Sequence, residues 1–322
     1  MTKTDILEMM RESGDFVSGQ AMCDSLGISR TAIWKAIEAL KSEGYEIEAV
    51  RNKGYRLIGS DAYSQTELES RFGSGTSGFI RPVFFDETDS TNAEVKRRAE
   101  SGETEGLLVA ADMQTAGRGR RGRDWSSPKG VNVYFSLLLK PDIPAEKAPM
   151  ITLLMALAVA GAIGDECRIK WPNDIVIGGK KVCGILTEMS AEQGYVQYIV
   201  VGVGINVKAQ EFQEGAGVYA GSIEQLIGRK TDRAALLSDA AKGFMDLYKR
   251  FTEDKDLGFV KDEYNKKLAG MGGEIRVLDP AGEYKGVSLG INDKGELMIE
   301  TEEGLRNVYA GEVSVRGLYG YV

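Results

Sequence analysis

The spacing of apolar residues changes twice along this chain, and that change limits its possible folds more than any other feature. The first sixty residues follow helical spacing and then a hairpin pattern, the middle alternates strands with helices, and short strands follow one another after residue 270. A helix repeats its buried face about every 3.6 residues and a strand about every two, so the three patterns build different kinds of core. A chain of 322 residues also exceeds one compact domain. We therefore predict an α+β protein of three units, with limits at residues 1–60, 66–270 and 271–322.

The first unit has the pattern of a winged helix-turn-helix. Apolar residues recur at helical spacing in three stretches that end near Gly14, Leu26 and Gly44. Residues 45–58 then form two short alternating segments around a polar turn, which indicates a two-stranded hairpin. Trp34, in the third helix, is expected to pack rather than to contact bases.

Positive charge in this unit is concentrated on the third helix and the hairpin. Residues 1–27 hold two cations and five acids, whereas residues 28–56 hold six cations and four acids. In a winged helix these elements enter the major groove and touch the flanking phosphates. A winged helix that serves protein contacts, with a merely solvated basic face, remains an open alternative. The expected DNA contacts are Ser29, Arg30, Thr31, Lys35, Arg51 and Lys53.

Composition excludes several kinds of chemistry. The chain has no histidine, which excludes Ser-His-Asp catalysis, histidine acid-base steps and histidine-ligated metals. Its net charge of -8 restricts any DNA contact to a local patch. No signal-peptide pattern opens the chain, and the longest apolar run, Ile151 to Ala162, is interrupted by Thr152, so no membrane span is expected. Three cysteines without CxxC spacing indicate neither a disulfide framework nor a zinc site, and a reducing cytoplasm fits them: Cys23, Cys167 and Cys183.

A loop of concentrated positive charge stands out in the middle unit. Residues 117–123 hold four arginines and three glycines, between predicted strands at 107–111 and 131–139. This segment has no apolar face, which predicts a mobile loop whose guanidinium groups suit carboxylates and phosphates. A basic nucleic-acid or targeting patch is the alternative. The position between two strands of an acidic protein favours the ligand-binding loop.

Two lysines and a glycine-rich strand follow the loop. At least one of Lys170 and Lys181 is expected to point into a cleft, because Trp-Pro follows the first and an apolar strand follows the second. The strand Val200-Val-Gly-Val-Gly-Ile-Asn has glycines that permit close approach of a ligand or a neighbouring backbone. Its GxG alone is weak evidence for a nucleotide site.

The last unit is predicted to be a small antiparallel barrel. Its short strands are separated by turns such as Asn-Asp-Lys-Gly and Glu-Glu-Gly. From residue 272 onward it holds five cations and nine acids, so it is a poor candidate for binding nucleic acid.

Four motifs in a fixed order resemble the biotin protein ligase family. They are Gly117-Arg-Gly-Arg-Arg-Gly-Arg, Lys170-Trp-Pro-Asn-Asp, Lys181 before Cys-Gly-Ile-Leu, and Gly202-Val-Gly-Ile-Asn. Each motif alone is of modest specificity, but together, after a winged helix, they are typical of the bifunctional members that also act as biotin operon repressors. The resemblance covers nearly the whole chain. It departs at Cys183, where the family commonly has alanine.

The resemblance implies a fold, a reaction and a set of residues. The fold is a central mixed sheet related to class II aminoacyl-tRNA synthetases, with a C-terminal SH3-like barrel. The reaction joins biotin and ATP into biotinyl-5'-AMP, with Mg²⁺ on the phosphates, and transfers biotin to a lysine of a biotin carboxyl carrier protein. The implied catalytic residues are Lys181, Arg118, Arg120 and Arg121. The implied biotin contacts are Ser90, Thr91, Asn92, Gln114, Arg118, Gly119, Arg120 and Lys181. The implied ATP contacts are Arg121, Trp125, Lys170, Asn173 and Asn206, and Asp174 is a candidate to orient the acceptor lysine.

Electrostatics explains why such a reaction needs these cations. The biotin carboxylate must attack the α-phosphorus of ATP, and two anions about 4 Å apart repel by roughly 4 kcal/mol at an effective dielectric constant near 20. Closure of the arginine loop would also create a new surface, so homodimerisation on adenylate binding and binding to a two-fold operator are expected. Two alternatives remain open: a non-catalytic biotin-sensing repressor, and a ligase for lipoate or a related cofactor.

Overall fold

A computed structural model describes residues 2–73, 79–212, 219–279, 282–310, 314–317 and 321–322. The predicted winged helix-turn-helix is confirmed in the first sixty residues. Ser18 and Ser29 cap the second and third helices by accepting a hydrogen bond from the backbone N–H three residues on. One apolar cluster, which includes Ile6, Ile37 and Leu40, forms the core of this unit. The elements are α1 (Thr2–Ser13), α2 (Gly19–Leu26), α3 (Arg30–Ser42), β1 (Tyr45–Val50) and β2 (Gly54–Ser60).

A mixed seven-stranded sheet forms the centre of the molecule. Its strand order is β3-β4-β5-β9-β8-β7-β6, and all neighbours are antiparallel except β3 and β4. The strands are β3 (Arg81–Phe85), β4 (Leu107–Ala111), β5 (Asn132–Leu139), β6 (Cys167–Lys170), β7 (Asp174–Ile177), β8 (Lys180–Glu192) and β9 (Tyr195–Asn206). Lys170 ends β6, because residues 167–170 pair with β7.

Helices cover both faces of this sheet. Alternate residues of β5 face opposite sides, so Val133 and Phe135 join the main core whereas Leu138 packs in a smaller cluster with Val95 and Ala99 of α5. Helix α6 is buried against α8 and the sheet. The helices are α4 (Gln65–Phe72), α5 (Thr91–Glu100), α6 (Ala148–Ile163), α7 (Ile223–Ile227), α8 (Arg233–Asp254) and α9 (Lys261–Lys267).

Helix α6 also bears on the question of a membrane span. Within the described part of the chain, one segment, Ala145–Ile163, is long and apolar enough to cross a membrane by length and composition alone. Glu146 and Lys147 lie within this segment, so the finding does not contradict the expectation drawn from the interrupted apolar run Ile151 to Ala162. About two thirds of this stretch (67%) is buried inside the protein, as expected for a core helix.

The last unit is an antiparallel sheet of five strands in the order β13-β12-β11-β10-β14. Its apolar residues, such as Val277 and Ile299, belong to the same core cluster as the central sheet. The predicted β domain is confirmed, although the predicted strand ends at Val313 and Leu318 and most of the 280–282 turn lie outside the described residues. The strands are β10 (Glu274–Asp279), β11 (Gly282–Ile291), β12 (Leu297–Thr301), β13 (Gly304–Val308) and β14 (Ser314–Gly317).

Helix α4, which the sequence pattern did not predict, ties the winged helix to the central unit. Its Glu67 is fully buried and accepts hydrogen bonds from Arg11 of α1 at 2.6 and 2.7 Å and from Arg71 at 2.6 Å. Arg71 also pairs at 2.5 Å with Asp232, the N-cap of α8. Three helices from two units thus share one ion-pair network. The predicted unit limits at 60, 66 and 271 stay predictions.

We expect Glu67→Ala to lower the free energy of unfolding by about 3 kcal/mol, because two partly buried arginines lose their shared carboxylate. The matched control is Glu43→Ala, whose exposed pair with Lys3 should contribute no more than about 0.5 kcal/mol. Urea denaturation of both variants measures the difference. Equal stabilities of the two variants would contradict the structural role of Glu67.

Candidate active site

Two adjoining cavities open beneath the arginine loop, at the end of strands β8 and β9. The smaller has a volume of about 50 Å³ and the larger about 900 Å³. They share six lining residues, which form the boundary between them: Gln114, Gly119, Arg120, Trp125, Asn173 and Lys181. A ligand with two unlike halves could therefore occupy both.

Polar side chains at the N-terminus of α5 line the small cavity. Thr91 donates its backbone N–H to Gln114 Oε1 at 2.9 Å. Ser136, from the middle of β5, donates or accepts at 2.7 Å with Thr91 Oγ1 and lies 2.6 Å from Asn92 Oδ1. Asn92 also donates to Glu188 at 2.7 Å. These buried groups form a hydrogen-bonded network in a wall that also holds cationic and apolar residues.

Three glycines on neighbouring strands make room for this site. Gly184 of β8 lies opposite Gly204 of β9, and Gly202 lies opposite Ser136 of β5. A Cβ atom at Gly202 would lie 2.0 Å from Asn92 Oδ1, and one at Gly204 would lie 2.5 Å from Trp125 Nε1. The close approach at Gly202 is therefore made by the Asn92 side chain, and the one at Gly204 by the Trp125 side chain.

The indole of Trp125 fills much of the small cavity. It lies over Gly184 and Gly204, with Lys181 Nζ 5.2 Å from the ring centroid. Its Nε1–H is buried and meets no hydrogen-bond acceptor among the residues that the structure describes. A volume of about 50 Å³ holds one or two waters, so a larger ligand requires the indole to move.

The large cleft surrounds one buried carboxylate, Asp174 at the start of β7. Lys181 Nζ lies 2.7 Å from Asp174 Oδ1, and Tyr321 donates its hydroxyl to Oδ2. Burial alone would raise the pKa of Asp174, but Lys181 and Lys170 hold that pKa below its ordinary value. Asp174 is therefore an anion at neutral pH.

Positive groups outnumber that carboxylate. Burial lowers the pKa of Lys170 to about 8, and Asp174 opposes this shift whereas Lys181, Arg316 and Arg120 add to it. Arg120 donates to Asn173 Oδ1 at 2.8 Å, which directs its guanidinium across the cleft mouth. Four cations around one anion make the cleft a suitable place for a polyanion.

The arginine loop folds into a compact turn. Gly119 donates its N–H to Arg123 O at 2.7 Å, and Trp125 donates to Gly117 O at 2.9 Å. Arg121 has φ of 58°, in the left-handed region. Arg118 and Arg121 are solvent-exposed, so they can turn toward a ligand at the cleft.

Known proteins resemble this chain along its length. Three family models match it: HTH domain at residues 2–56, Biotin/lipoate A/B protein ligase family at 84–206, and Biotin protein ligase C terminal domain at 271–316. The bifunctional ligase/repressor BirA of Bacillus subtilis (strain 168) is 42% identical over 97% of this chain and 98% of its own length. The protein of the same name from Escherichia coli (strain K12) is 30% identical over 94% of each chain.

The chain belongs to the bifunctional biotin ligase/repressor family. Among solved structures, the biotin protein ligase from Aquifex aeolicus in complex with biotin and ATP is 32% identical, has a TM-score of 0.65 and matches 74% of this chain and 99% of its own. The expected fold class is thereby confirmed: a helix-turn-helix unit, the ligase sheet and a C-terminal β domain.

The structure gathers the residues that the family resemblance singled out. All eight expected biotin contacts line the small cavity, and all five expected ATP contacts line the large cleft. Asn206 donates to Gly221 O at 3.1 Å and Asn173 to Ile185 O at 3.1 Å, so both also hold the local backbone. The roles of these residues stay predictions.

The expected DNA contacts on α3 and at the hairpin turn are exposed. Arg30, Thr31 and Lys35 are exposed along α3, and Arg51 and Lys53 are exposed at the hairpin turn. Ser29 caps α3, and Arg30 also donates to Gln20 at 2.7 Å. Trp34 of α3 is 55% exposed, so our expectation that it packs was wrong.

Sequence reasoning missed several residues of the site. Ser136 carried a signal, because it is the one serine in the largely apolar strand Asn132–Leu139. Tyr321 and Arg316 carried none, because the fold alone brings β14 and the residues after it to the central sheet.

We expect Gly202→Ala to lower the free energy of unfolding by about 1 to 3 kcal/mol, because its Cβ would collide with the Asn92 amide. The control is Gly161→Ala in α6, where a Cβ meets open space and helix propensity favours alanine by about 1 kcal/mol. Urea denaturation compares the two. A Gly202 variant as stable as the wild type would refute the close contact.

Proposed function

We propose that this protein activates biotin with ATP to form biotinyl-5'-AMP and transfers the biotin to a lysine of a biotin carboxyl carrier protein. One observation carries the proposal: a small polar-lined cavity opens directly into a large cationic cleft, with Lys181 at their boundary. A carboxylate held in the first would meet a phosphate held in the second. The wide match to ligase/repressor relatives supports the same reaction.

The small cavity suits the uncharged ureido ring of biotin. Ser90, Thr91, Asn92 and Gln114 offer donors and acceptors beside apolar residues such as Ile185 and Val203, which is how proteins recognise neutral polar rings. The ring enters once Trp125 leaves the glycine surface. The indole then packs beside the bound adenylate, and its unpaired Nε1–H gains an acceptor from the ligand or the loop.

The large cleft suits the phosphates of ATP. Lys170, Lys181, Arg120 and Arg316 face the cleft and reduce the repulsion between the biotin carboxylate and the α-phosphate. Lys181 contacts both reacting groups as the carboxylate attacks phosphorus and pyrophosphate leaves. The exposed guanidinium of the loop residue Arg118 closes over biotin, and that of Arg121 over the nucleotide.

Mg²⁺ accompanies ATP as part of the substrate. The described residues contain no cluster of three acidic or thiol side chains that would hold a metal ion alone. Mg²⁺ commonly keeps several waters and binds through substrate phosphates, so this arrangement fits it. The ion offsets phosphate charge beside the protein cations.

Asp174 orients the acceptor lysine in the second half-reaction. Its carboxylate is ionised and lies within the cleft, so it attracts the incoming ammonium group. Both oxygens already have partners, Lys181 and Tyr321, so the acceptor exchanges with one of them. The ammonium group first loses a proton to solvent, and the resulting amine attacks the carbonyl of the adenylate. The amide bond forms, the bond to the phosphate breaks, AMP leaves, and the second amine proton passes to solvent.

The winged helix binds operator DNA and represses biotin genes in the cytoplasm. The cations of α3 and of the hairpin turn are exposed, which suits major-groove and phosphate contacts. Ordering of the arginine loop over the adenylate favours a homodimer. Two winged helices then match a two-fold operator, which couples repression to biotin supply.

A lipoate-type ligase is the second candidate, because the family model that matches residues 84–206 covers biotin and lipoate ligases together. A non-catalytic biotin sensor is a third, although the full set of cleft cations favours catalysis. Pyrophosphate exchange into ATP separates them. Exchange that depends on biotin supports the proposal, exchange that depends on lipoate supports the second candidate, and no exchange despite biotin binding supports the third.

We expect Lys181→Ala to reduce biotin-dependent pyrophosphate exchange by about a thousandfold, because the reacting charges lose a fixed cation. Lys249→Ala, on the exposed side of α8, is the control and should keep wild-type exchange. Circular dichroism checks the fold of both variants. Normal exchange by the Lys181 variant would overturn its catalytic role.

We expect biotin plus ATP to double the sedimenting mass of the protein and to tighten its binding to genomic fragments that it selects. Lys35→Ala should still dimerise but bind those fragments more weakly, with a salt slope reduced by about one. Lys3→Ala, on α1, is the control. An unchanged mass with ligands would exclude ligand-driven dimerisation, and unchanged DNA binding by the Lys35 variant would exclude the α3 surface.

A further inference from the structure

Tyr321 reaches from the C-terminal unit into the large cleft and touches three residues there. Its hydroxyl donates a hydrogen bond to Asp174 Oδ2. Its ring lies beneath the Lys170 ammonium, with Nζ 4.1 Å from the ring centroid. The same ring stacks on Tyr219, with 5.4 Å between the centroids and 29° between the planes. One side chain therefore contacts an acid, a base and an aromatic wall of the same cleft.

These contacts divide the charges of the cleft into two groups. Asp174 pairs with Lys181 at Oδ1 and accepts from Tyr321 at Oδ2, and among the described residues no direct ion pair joins Asp174 to Lys170. The Lys170 side chain is 9% exposed and its ammonium rests on the negative face of an aromatic ring instead. A ring stabilises a cation without neutralising it, whereas a carboxylate would neutralise it. Lys170 thus keeps its charge for an outside partner.

We propose that Tyr321 is a positioning residue for the nucleotide, which holds the Lys170 ammonium apart from Asp174 and directs it at the phosphates of ATP. The inference rests on the proposed function, since it assigns a role in the nucleotide half of that site. The C-terminal unit shares one core with the central sheet, and the position of Tyr321 depends on that packing. Tyr321 touches no reacting atom and acts through Lys170 and Asp174.

The test compares substitutions that remove the ring with one that keeps it. Tyr321→Leu removes the ring and the hydroxyl, and Tyr321→Phe removes the hydroxyl alone. Tyr309→Leu is the matched control, because Tyr309 is 47% exposed and donates its hydroxyl to Glu146 O outside both cavities. Full-length proteins are titrated with ATP by calorimetry and assayed by pyrophosphate exchange, both between about pH 6.5 and 9.5.

We expect Tyr321→Leu to weaken ATP binding by about tenfold while the KM for biotin stays near the wild-type value. Tyr321→Phe should keep most of the ATP affinity, since the ring remains. In the wild type, ATP binding should weaken as pH rises through about 8, where Lys170 loses its proton. In the Leu variant, water reaches Lys170 and raises its pKa toward the ordinary value, so the weakening moves to higher pH. A merely structural role would leave that pH unchanged.

The inference is overturned if Tyr321→Leu binds ATP as the wild type does, or if its alkaline weakening stays at the wild-type pH. Should the Leu variant fail to fold, Tyr321→Met fills similar space without an aromatic face and carries the same expectation. If the wild type supports normal pyrophosphate exchange and the Tyr321 variant is unaffected, this inference alone is refuted and the proposed function stands. A wild type that neither binds ATP nor supports exchange refutes the proposed function, and this inference with it.

Discussion

The ion pair between Lys181 and Asp174 is the contact on which the rest of the site depends. The two residues lie on adjacent strands, β8 and β7, and the pair holds one buried anion in the large cleft beside Lys181, which lines both cavities. Around it, three further cations remain in excess: Lys170, Arg120 and Arg316. A buried carboxylate on its own would tend to take up a proton, and four positive neighbours would repel one another. The carboxylate and the cations therefore stabilise one another, and the group as a whole keeps a net positive charge.

The sheet converts this charge arrangement into a place for two substrates. Glycines on β8 and β9 leave a surface without side chains, and the start of α5 supplies polar groups above it. Three segments that are distant in sequence line the large cleft there: the arginine loop, residues 170–174 and Tyr321. The winged helix is joined to this core through Glu67, so its orientation depends on a network of charges and not on a flexible linker alone.

The sequence predicted most elements because their local signals agreed. Ser29 and Gly27 marked helix limits in the winged helix, and strand β4 (Leu107–Ala111) was predicted to the residue by its apolar run. Helix α4 was missed because residues Ser60 to Thr66 resemble a polar linker. The apolar face of α4 becomes evident only where this helix packs against α1 and α8.

For the site, the motifs predicted which residues would gather but not how they would sit. The role of Trp125 toward ATP stays a prediction, and its indole lies over Gly184 and Gly204. Its position depends on the shape of the glycine surface, which no linear pattern reveals. Contacts between residues distant in sequence, such as Tyr321 with Asp174, are likewise set by how the units pack.

The central claim is that clustered cations allow two anionic reactants to combine. Single-turnover quench-flow measurement of biotinyl-5'-AMP formation tests it most directly, with the wild type and a variant in which Arg118, Arg120 and Arg121 are all glutamine. The account predicts that adenylate formation in the variant slows by about a thousandfold or more at saturating biotin and ATP. A wild-type rate in that variant would contradict it.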